Sequence, residues 1–262
     1  MKIHMTVTFE QVSKVYSPHG SSVRTIALDN VSLTLEEGQL VVLLGPSGCG
    51  KTTLLKLLGG FERPTAGRVL VNGELVRQPG PDRGTIFQAP TLFPWLSTLD
   101  NVLYGPRVRG MQDKATIERA QEVLRTVGLA DFQNHLPHNL SGGMQQRVAI
   151  ARVLINDPAI ILADEPFAAL DEYTRRAMQE LFLHAVSDRL RTLLFVTHSI
   201  EEAVFLADRI VIMTPRPGKI SRCIDVKISR PRARSHREFL DAMGEIFEIV
   251  SQDFSAAVAE AP

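Results

Sequence analysis

The sequence predicts an α/β protein built on a mainly parallel sheet with helices on both faces. Two observations carry this. Continuous apolar runs of strand length at residues 40–44, 159–163, 193–196 and 210–213 read as strands buried on both sides. Amphipathic helical stretches alternate with them, the pattern of strand–helix–strand units. The N-terminal stretch differs. Val7, Phe9 and Val12, then Val31, Leu33 and Leu35, are spaced like strands with one buried face. Residues 68–71 and 74–76 flank Asn72-Gly73, the strongest short hairpin signal. Thr85-Ile86-Phe87 is a further short strand.

Helices fill the intervals. Residues 113–128 place Ile117, Ala120, Leu124 and Val127 on one face, with Asp at the start and Gly at the stop. Ser141 caps a helix whose stripe is Met144, Val148, Ala151 and Ile155. Residues 172–190 carry Met178, Leu181, Phe182 and Ala185 on one face. Ser199 with Glu202, and Ser235 with Glu238, have capping-box spacing. No strand pattern occurs between Gln88 and Asp157, so a helical insertion is expected there.

Composition narrows the function. The chain has 262 residues, room for one large domain or two small ones. Lys and Arg total 29 against 29 Asp and Glu, so nonspecific nucleic-acid binding, which favours a basic excess, is disfavoured. No apolar run approaches the roughly 18–20 residues of a membrane-spanning helix, and the first residues lack the apolar stretch of a secretory leader. The two cysteines, Cys49 and Cys223, are far apart and suggest a reduced compartment.

The chemistry is concentrated in three segments. Gly45-Pro46-Ser47-Gly48-Cys49-Gly50-Lys51-Thr52 follows a buried strand and opens an apolar helix, matching the phosphate-binding loop at every fixed position. Small residues let successive backbone N–H groups converge on phosphate oxygens, and the helix start adds partial positive charge. Lys51 is expected to neutralise the β- and γ-phosphates, with the Thr52 hydroxyl on Mg2+. Cys49 occupies a variable position and reads as a spacer. Next, residues 160–163 form an apolar strand ending in Asp164-Glu165. Carboxylates at the C-terminal edge of a parallel sheet face the crevice that holds the phosphates. Asp164 suits a Mg2+ shell and Glu165 the attacking water. Finally, Leu140-Ser141-Gly142-Gly143 starts a helix with an N-cap serine and two glycines that leave amides bare for an anion. Two anion-binding helix starts in one chain are explained economically by a symmetric pair, each copy closing on the nucleotide of the other.

Taken with Gln88 after a strand, Ala168-Ala169-Leu170-Asp171 and Thr197-His198, these segments resemble the ATP-binding subunit of ATP-binding-cassette (ABC) transporters over nearly the whole chain. The resemblance implies a P-loop NTPase (RecA-like) core with an N-terminal antiparallel β subdomain and an inserted α-helical signature subdomain. It divides the chain into an ATP-binding domain over 1–235, its helical insertion at about 89–157, and a C-terminal helix and tail over 236–262. It also implies ATP and Mg2+ as cofactors, and a head-to-tail dimer with a second ATP-binding subunit, identical or not. Gly45 to Thr52, with Thr53, would hold the nucleotide, and Ser141, Gly142 and Gly143 would touch the γ-phosphate on the partner chain. Glu165, His198 and Gln88 would be catalytic, with Thr52, Gln88 and Asp164 on the metal. Asp171 would link the two sites across the dimer. The one departure is Met144, where the family usually has Gln. A thioether cannot donate the amide's hydrogen bond, which bears on dimer affinity and hydrolysis rate.

Tyr16 lies where the family places an adenine-stacking aromatic, and it also fits a half-buried strand tyrosine. Residues 88–96 are apolar, Pro-broken and contain the only Trp, Trp95. They read either as the groove that receives a helix of the membrane permease or as ordinary core. The segment Phe93-Pro94-Trp95, the turn at residues 80–84 and Arg216-Pro217-Gly218-Lys219-Ile220 resemble the nitrate, sulfonate and taurine importer branch. An extracytoplasmic solute-binding protein acting through the permease, and a peripheral position on the cytoplasmic face of the membrane, follow from that branch. Arg230, Arg232, Arg234 and Arg237 read as a solvated face, with lipid headgroups as the alternative. The closing helix, with Phe239, Leu240, Met243, Ile246, Phe247 and Val250, is expected to pack on its own core or on the dimer mate. A soluble ABC ATPase of iron–sulfur assembly is the competing function.

Overall fold

The computed structural model describes residues 5–17, 24–187 and 190–259. In chain order the first elements are β1 (Thr6–Tyr16), β2 (Thr25–Glu36), β3 (Leu40–Leu44), α1 (Lys51–Gly59), β4 (Ala66–Val71), β5 (Glu74–Leu75) and β6 (Arg83–Ile86). There follow α2 (Thr98–Val108), α3 (Lys114–Thr126), α4 (Gly142–Leu154), β7 (Ile160–Asp164) and α5 (Glu172–Ser187). The chain closes with β8 (Thr192–Thr197), α6 (Ile200–Leu206), β9 (Arg209–Met213), β10 (Ile220–Asp225) and α7 (Arg237–Ala259). It divides into two compact units, Met1–Gly80 with Thr192–Pro262, and Pro81–Arg191.

The first unit holds two sheets. β2, β1, β4 and β5 form an antiparallel sheet in that order. Its alternation buries Val7, Phe9, Val12, Val31, Leu33 and Leu35 and leaves their neighbours wetter; the three-residue step from Phe9 to Val12 is taken up by a bulge, with Gln11 at φ 48°. Asn72 (φ 54°) and Gly73 (φ 80°) both have positive φ, the requirement of the tight hairpin turn between Val71 and Glu74. In the other sheet, β9, β3 and β8 run parallel and β10 adds an antiparallel edge. β3 and β8 are buried at every position. β10 was not legible in the sequence, since its residues are exposed or half-buried and carry no apolar alternation.

The second unit pairs β6 with β7 in parallel and packs α2, α3 and α4 together. Residues 88–157 contain no strand. The predicted stripes are displaced in places. Ile117 is exposed, and Thr116 is buried beside Ala120 and Leu124. On α5 the buried residues are Met178, Gln179, Phe182 and Val186, with Leu181 and Ala185 only half-covered.

Three expectations near the C-terminus need correction. Ser199 does cap α6, accepting the Glu202 N–H at 3.3 Å. The reciprocal bond is not made. The Ser199 N–H donates to Thr197 Oγ1 (3.0 Å), and the Glu202 carboxylate accepts from the Thr197 hydroxyl instead. The last helix starts at Arg237, and its first bonds run from Phe239 N–H (3.1 Å) and Leu240 N–H (3.2 Å) to His236 O, so Ser235 lies outside the cap position. Phe239 and Ile246 of α7 are buried, whereas Leu240 and Phe247 face solvent.

The third correction concerns the arginines, which are not a solvated face. The last four carbonyls of a helix have no intrahelical partner. In α6 the Ala203 carbonyl receives Ala207 N–H (3.0 Å). Arg232 Nη1 donates to Val204 O (2.7 Å), Phe205 O (3.1 Å) and Ala207 O (2.7 Å), and its Nε to Ile228 O (3.0 Å). Arg230 Nη2 takes Leu206 O (2.6 Å). Arg234 lies over the Phe205 ring at 3.7 Å and pairs with Glu201 at 2.9 Å. Arg232 is 5% exposed, and its burial lowers the guanidinium pKa to about 10. It stays charged at neutral pH because cations suit a helix C-terminus. Only Arg237 is bathed in water. Arg232→Leu strips four carbonyls of a charged donor and is expected to cost about 2–4 kcal/mol, read as a lowered urea midpoint. An unchanged midpoint would refute the cap.

Candidate nucleotide site

In the first unit, the parallel pairing sets Leu44 opposite Thr197. The chain therefore leaves β3 at Gly45 and β8 at His198 from adjacent strands at one C-terminal edge, where an α/β sheet binds ligands. Gly45 backs onto β9 so closely that a Cβ there would lie 2.9 Å from Met213 O. The loop then turns into α1 through Gly50 (φ 99°), where a Cβ would meet Ala27 O at 2.7 Å, so only glycine fits. Lys51 is buried at the first position of α1, and its ammonium donates to Gly45 O (2.7 Å) and Pro46 O (2.8 Å). Cys49 is buried beneath it, its sulfur 3.6 Å from the ammonium. Ser47, Gly48 and Thr52 are exposed, and Thr53 is half-buried. The loop thus presents small residues and amides outward around one buried cation, an arrangement suited to phosphate.

His198 is exposed, and the residues around it are fixed by the Thr197–Glu202–Ser199 bonds already described. Tyr16 ends β1 half-buried, with the Lys14 ammonium 4.9 Å from its ring centre. One ring face already carries a cation, a contact the sequence did not reveal.

In the second unit, Ile86 pairs with Ala163. Gln88 and Glu165 therefore stand at equivalent positions, each two residues beyond the paired ends, with Asp164 closing β7. Asp164 is 7% exposed, Glu165 half-buried and Gln88 exposed. Glu165 has φ 44°, the left-handed region that a non-glycine residue adopts at a cost and that recurs at functional turns. A buried glutamine supports this edge. Gln146 of α4, 1% exposed, donates from Nε2 to Phe87 O at 3.1 Å. The sequence reading missed it, although an amide two positions from a buried helical stripe is a usable signal.

Ser141 caps α4 by accepting the Met144 N–H at 3.3 Å. Ser141 and Gly142 are exposed, and a Cβ on Gly142 would find open space. Gly143 is closer-packed, against Leu170. Met144 is half-buried and takes part in the cap through its backbone. Asp171 opens α5. It accepts Thr174 N–H at 2.9 Å, and this bond holds its carboxyl below the ordinary carboxylate range. The cap therefore contributes at neutral pH and is lost only as pH falls below about 3.8, the unperturbed value.

Among the described residues no cluster of three or more His, Cys, Asp or Glu could hold a metal alone. A Thr52 hydroxyl and an Asp164 carboxylate are hard oxygen donors, and Mg2+ commonly takes one or two such protein ligands and completes its shell with phosphate and water. Each donor by itself has the chemistry such a metal takes, Thr52 in the first unit and Asp164 in the second.

The second unit also contains a groove of about 510 Å3 lined by Phe93, Tyr104, Val108, Arg109, Arg152 and Asn156 among others. Phe93 stacks on Tyr104 at 4.3 Å. The loop above is clamped by Asn101, fully buried, which accepts Phe93 N–H and donates to Phe93, Leu96 and Ser97 carbonyls at 3.0–3.1 Å. Trp95 at its tip is 73% exposed. The core reading of that tryptophan does not hold.

The family described as ABC transporter matches residues 28–168, more than half the chain. The chain belongs to the ABC transporter family. As a member it is an ATPase cassette whose hydrolysis is coupled to transport. An uncharacterised ABC transporter ATP-binding protein of Methanocaldococcus jannaschii is 45% identical over 97% of this chain and 93% of its own length. The taurine import ATP-binding protein TauB of Ruegeria pomeroyi is 47% identical, over 82% of this chain and 80% of its own. The aliphatic sulfonates import ATP-binding protein SsuB of Bacillus cereus strain ZK / E33L is 40% identical, over 93% and 95%. A solved ATP-binding cassette, dimeric, in a post-hydrolysis state and bound to ADP and Pi, superposes with TM-score 0.76 at 35% identity. It covers 85% of this chain and 100% of that one. The cassette has no helix among its described residues long and apolar enough to cross a membrane.

Lys51→Ala removes the loop's buried cation. It is expected to raise the ATP dissociation constant by more than about tenfold, since a charged hydrogen-bond partner is lost. Fluorescent-nucleotide titration reads this, and undiminished affinity would remove the phosphate assignment.

Proposed function

We propose that this cassette is the ATP-hydrolysing subunit of an importer for small sulfonate-like anions, working as a head-to-tail dimer on the cytoplasmic face of the membrane. The observation that carries the dimer is the exposed Ser141-Gly142 helix start, which opens into space on its own chain. A capped helix with bare amides facing outward suits an anion brought by another copy. The solute class is supported by 40–49% identity to taurine and sulfonate import subunits.

In this reading, Gly45–Thr53 cradle the phosphates of ATP, with Lys51 leaving its carbonyl partners for phosphate oxygens. Thr52, Asp164 and Gln88 would hold Mg2+, which would supply charge neutralisation for the phosphates. Glu165 orients and deprotonates the attacking water, and His198 holds it against the γ-phosphate. Tyr16 offers its free ring face to adenine. The serine–diglycine start of one copy closes on the nucleotide held by the other, and Asp171 joins the two sites. Closure swings the permease and hydrolysis resets it. The extracytoplasmic solute-binding protein delivers the anion to the permease. The helical insertion at about 89–157 carries the signature, and the segment from 236 on stays with the ATP-binding domain.

Glu165→Gln is expected to retain ATP binding, lower turnover by at least about a hundredfold and accumulate an ATP-dependent dimer on size exclusion. A hydrolysis-dead variant that stays monomeric at saturating ATP with its permease would overturn the paired site. The clamped loop supplies a second test. Trp95→Ala is expected to abolish co-purification with the permease while the isolated cassette keeps its ATP affinity. Undisturbed assembly would remove the exposed loop at residues 93–95 as the docking surface.

A further inference from the structure

The turn after β9 meets the phosphate loop from behind. Thr214 fastens it, with Thr214 N–H on Lys219 O (2.9 Å), Lys219 N–H on Thr214 Oγ1 (3.1 Å) and the Thr214 hydroxyl on Pro217 O (3.1 Å). The turn is also anchored to β2. Gly218 N–H donates to Ala27 O (3.1 Å), Asp29 N–H to Gly218 O (3.0 Å), and Lys219 pairs with Asp29 at 2.9 Å. From this anchored position it reaches two consecutive peptides of the loop. Arg216 Nη2 donates to Gly48 O at 3.5 Å. Gly218 lies under the next carbonyl so tightly that a Cβ there would stand 1.9 Å from Cys49 O.

A peptide group's C=O and N–H point in opposite directions. Whatever holds the carbonyls of Gly48 and Cys49 toward the turn aims the N–H groups of Cys49 and Gly50 to the other side, where a phosphate-binding loop needs them; there the Cys49 N–H makes a long bond to Pro46 O (3.4 Å) that a phosphate oxygen would replace. Arg216 adds a second effect. It is exposed, and among the described residues it has no carboxylate partner. Its charge therefore polarises the Gly48–Cys49 peptide and makes the opposing N–H a better donor.

We infer that the Thr214–Lys219 turn is a positioning element for ATP binding: Arg216 and Gly218 act on the carbonyl side of the Gly48–Cys49–Gly50 backbone and orient its amides toward the nucleotide phosphates. Neither residue touches nucleotide, and the inference rests on the loop's assignment to phosphate. It gives the Arg216-Pro217-Gly218 run a physical task that branch membership alone does not.

The test compares ATP dissociation constants, by fluorescent-nucleotide displacement at fixed Mg2+, with melting temperatures taken without nucleotide. Arg216→Ala is expected to weaken ATP binding about three- to tenfold and leave the nucleotide-free melting temperature unchanged, because the side chain is exposed. Arg216→Lys, which keeps a cation for the same carbonyl, recovers most of the loss. Gly218→Ala, which must displace a backbone carbonyl, weakens binding more than Arg216→Ala. Lys51→Ala serves as the reference. If it binds ATP normally, the phosphate assignment itself is wrong. If it loses binding while Arg216→Ala and Gly218→Ala both stay within about twofold of the parent, the turn is not a positioning element. A lysine variant no better than alanine also overturns the polarisation argument.

Discussion

Backbone hydrogen bonding between parallel strands decides where the phosphate loop, His198, Gln88 and the Asp164-Glu165 pair emerge. With Leu44 opposite Thr197, the phosphate loop and His198 leave neighbouring strands together. With Ile86 opposite Ala163, Gln88 and the Asp164-Glu165 pair do the same in the other unit. A one-residue slip would turn each of these strands over. Because β3, β7 and β8 are buried on both faces, the register is held by the fit of individual side chains against the close-packed core on either side rather than by an apolar–polar alternation. The chemistry is thus as well placed as the core is well packed.

Around those strand ends, the chain uses main-chain groups for binding and side chains for aiming them. Amides at Gly50 and at the Ser141 cap face outward from helix starts. Polar side chains hold irregular segments from behind: Gln146 on Phe87, Asn101 on the 93–97 loop, Arg216 on Gly48. Each is a side chain donating to a carbonyl in an irregular segment, where no ladder would satisfy it. The loops that do chemistry are held by such donors rather than by secondary structure.

Much of this was legible from residue order. Strands buried on both faces announce themselves as unbroken apolar runs, and loops that bind phosphate need glycines at fixed spacing. What escaped follows a physical pattern. β10 is an exposed edge whose pairing comes from β9, so its own residues carry no signal. Ile117 sits on the wet side of α3 because Thr116 takes the covered place. Glu202 accepts from the Thr197 hydroxyl, which itself takes the Ser199 N–H that a capping box would give to Glu202. Arg232 looked solvated because charge runs normally are, but a helix end nearby offered it carbonyls. Charge in a sequence does not show what it is paired with.

The arginine clasp on α6 has a bearing on synthesis. The helix immediately following His198 is finished by side chains drawn from positions 230 and 232, more than twenty residues downstream. During translation, that end of α6 stays open to water until those arginines have left the ribosome. Domains generally fold as units as the chain emerges, yet here the C-terminal end of α6 is finished by residues made well after the helix itself.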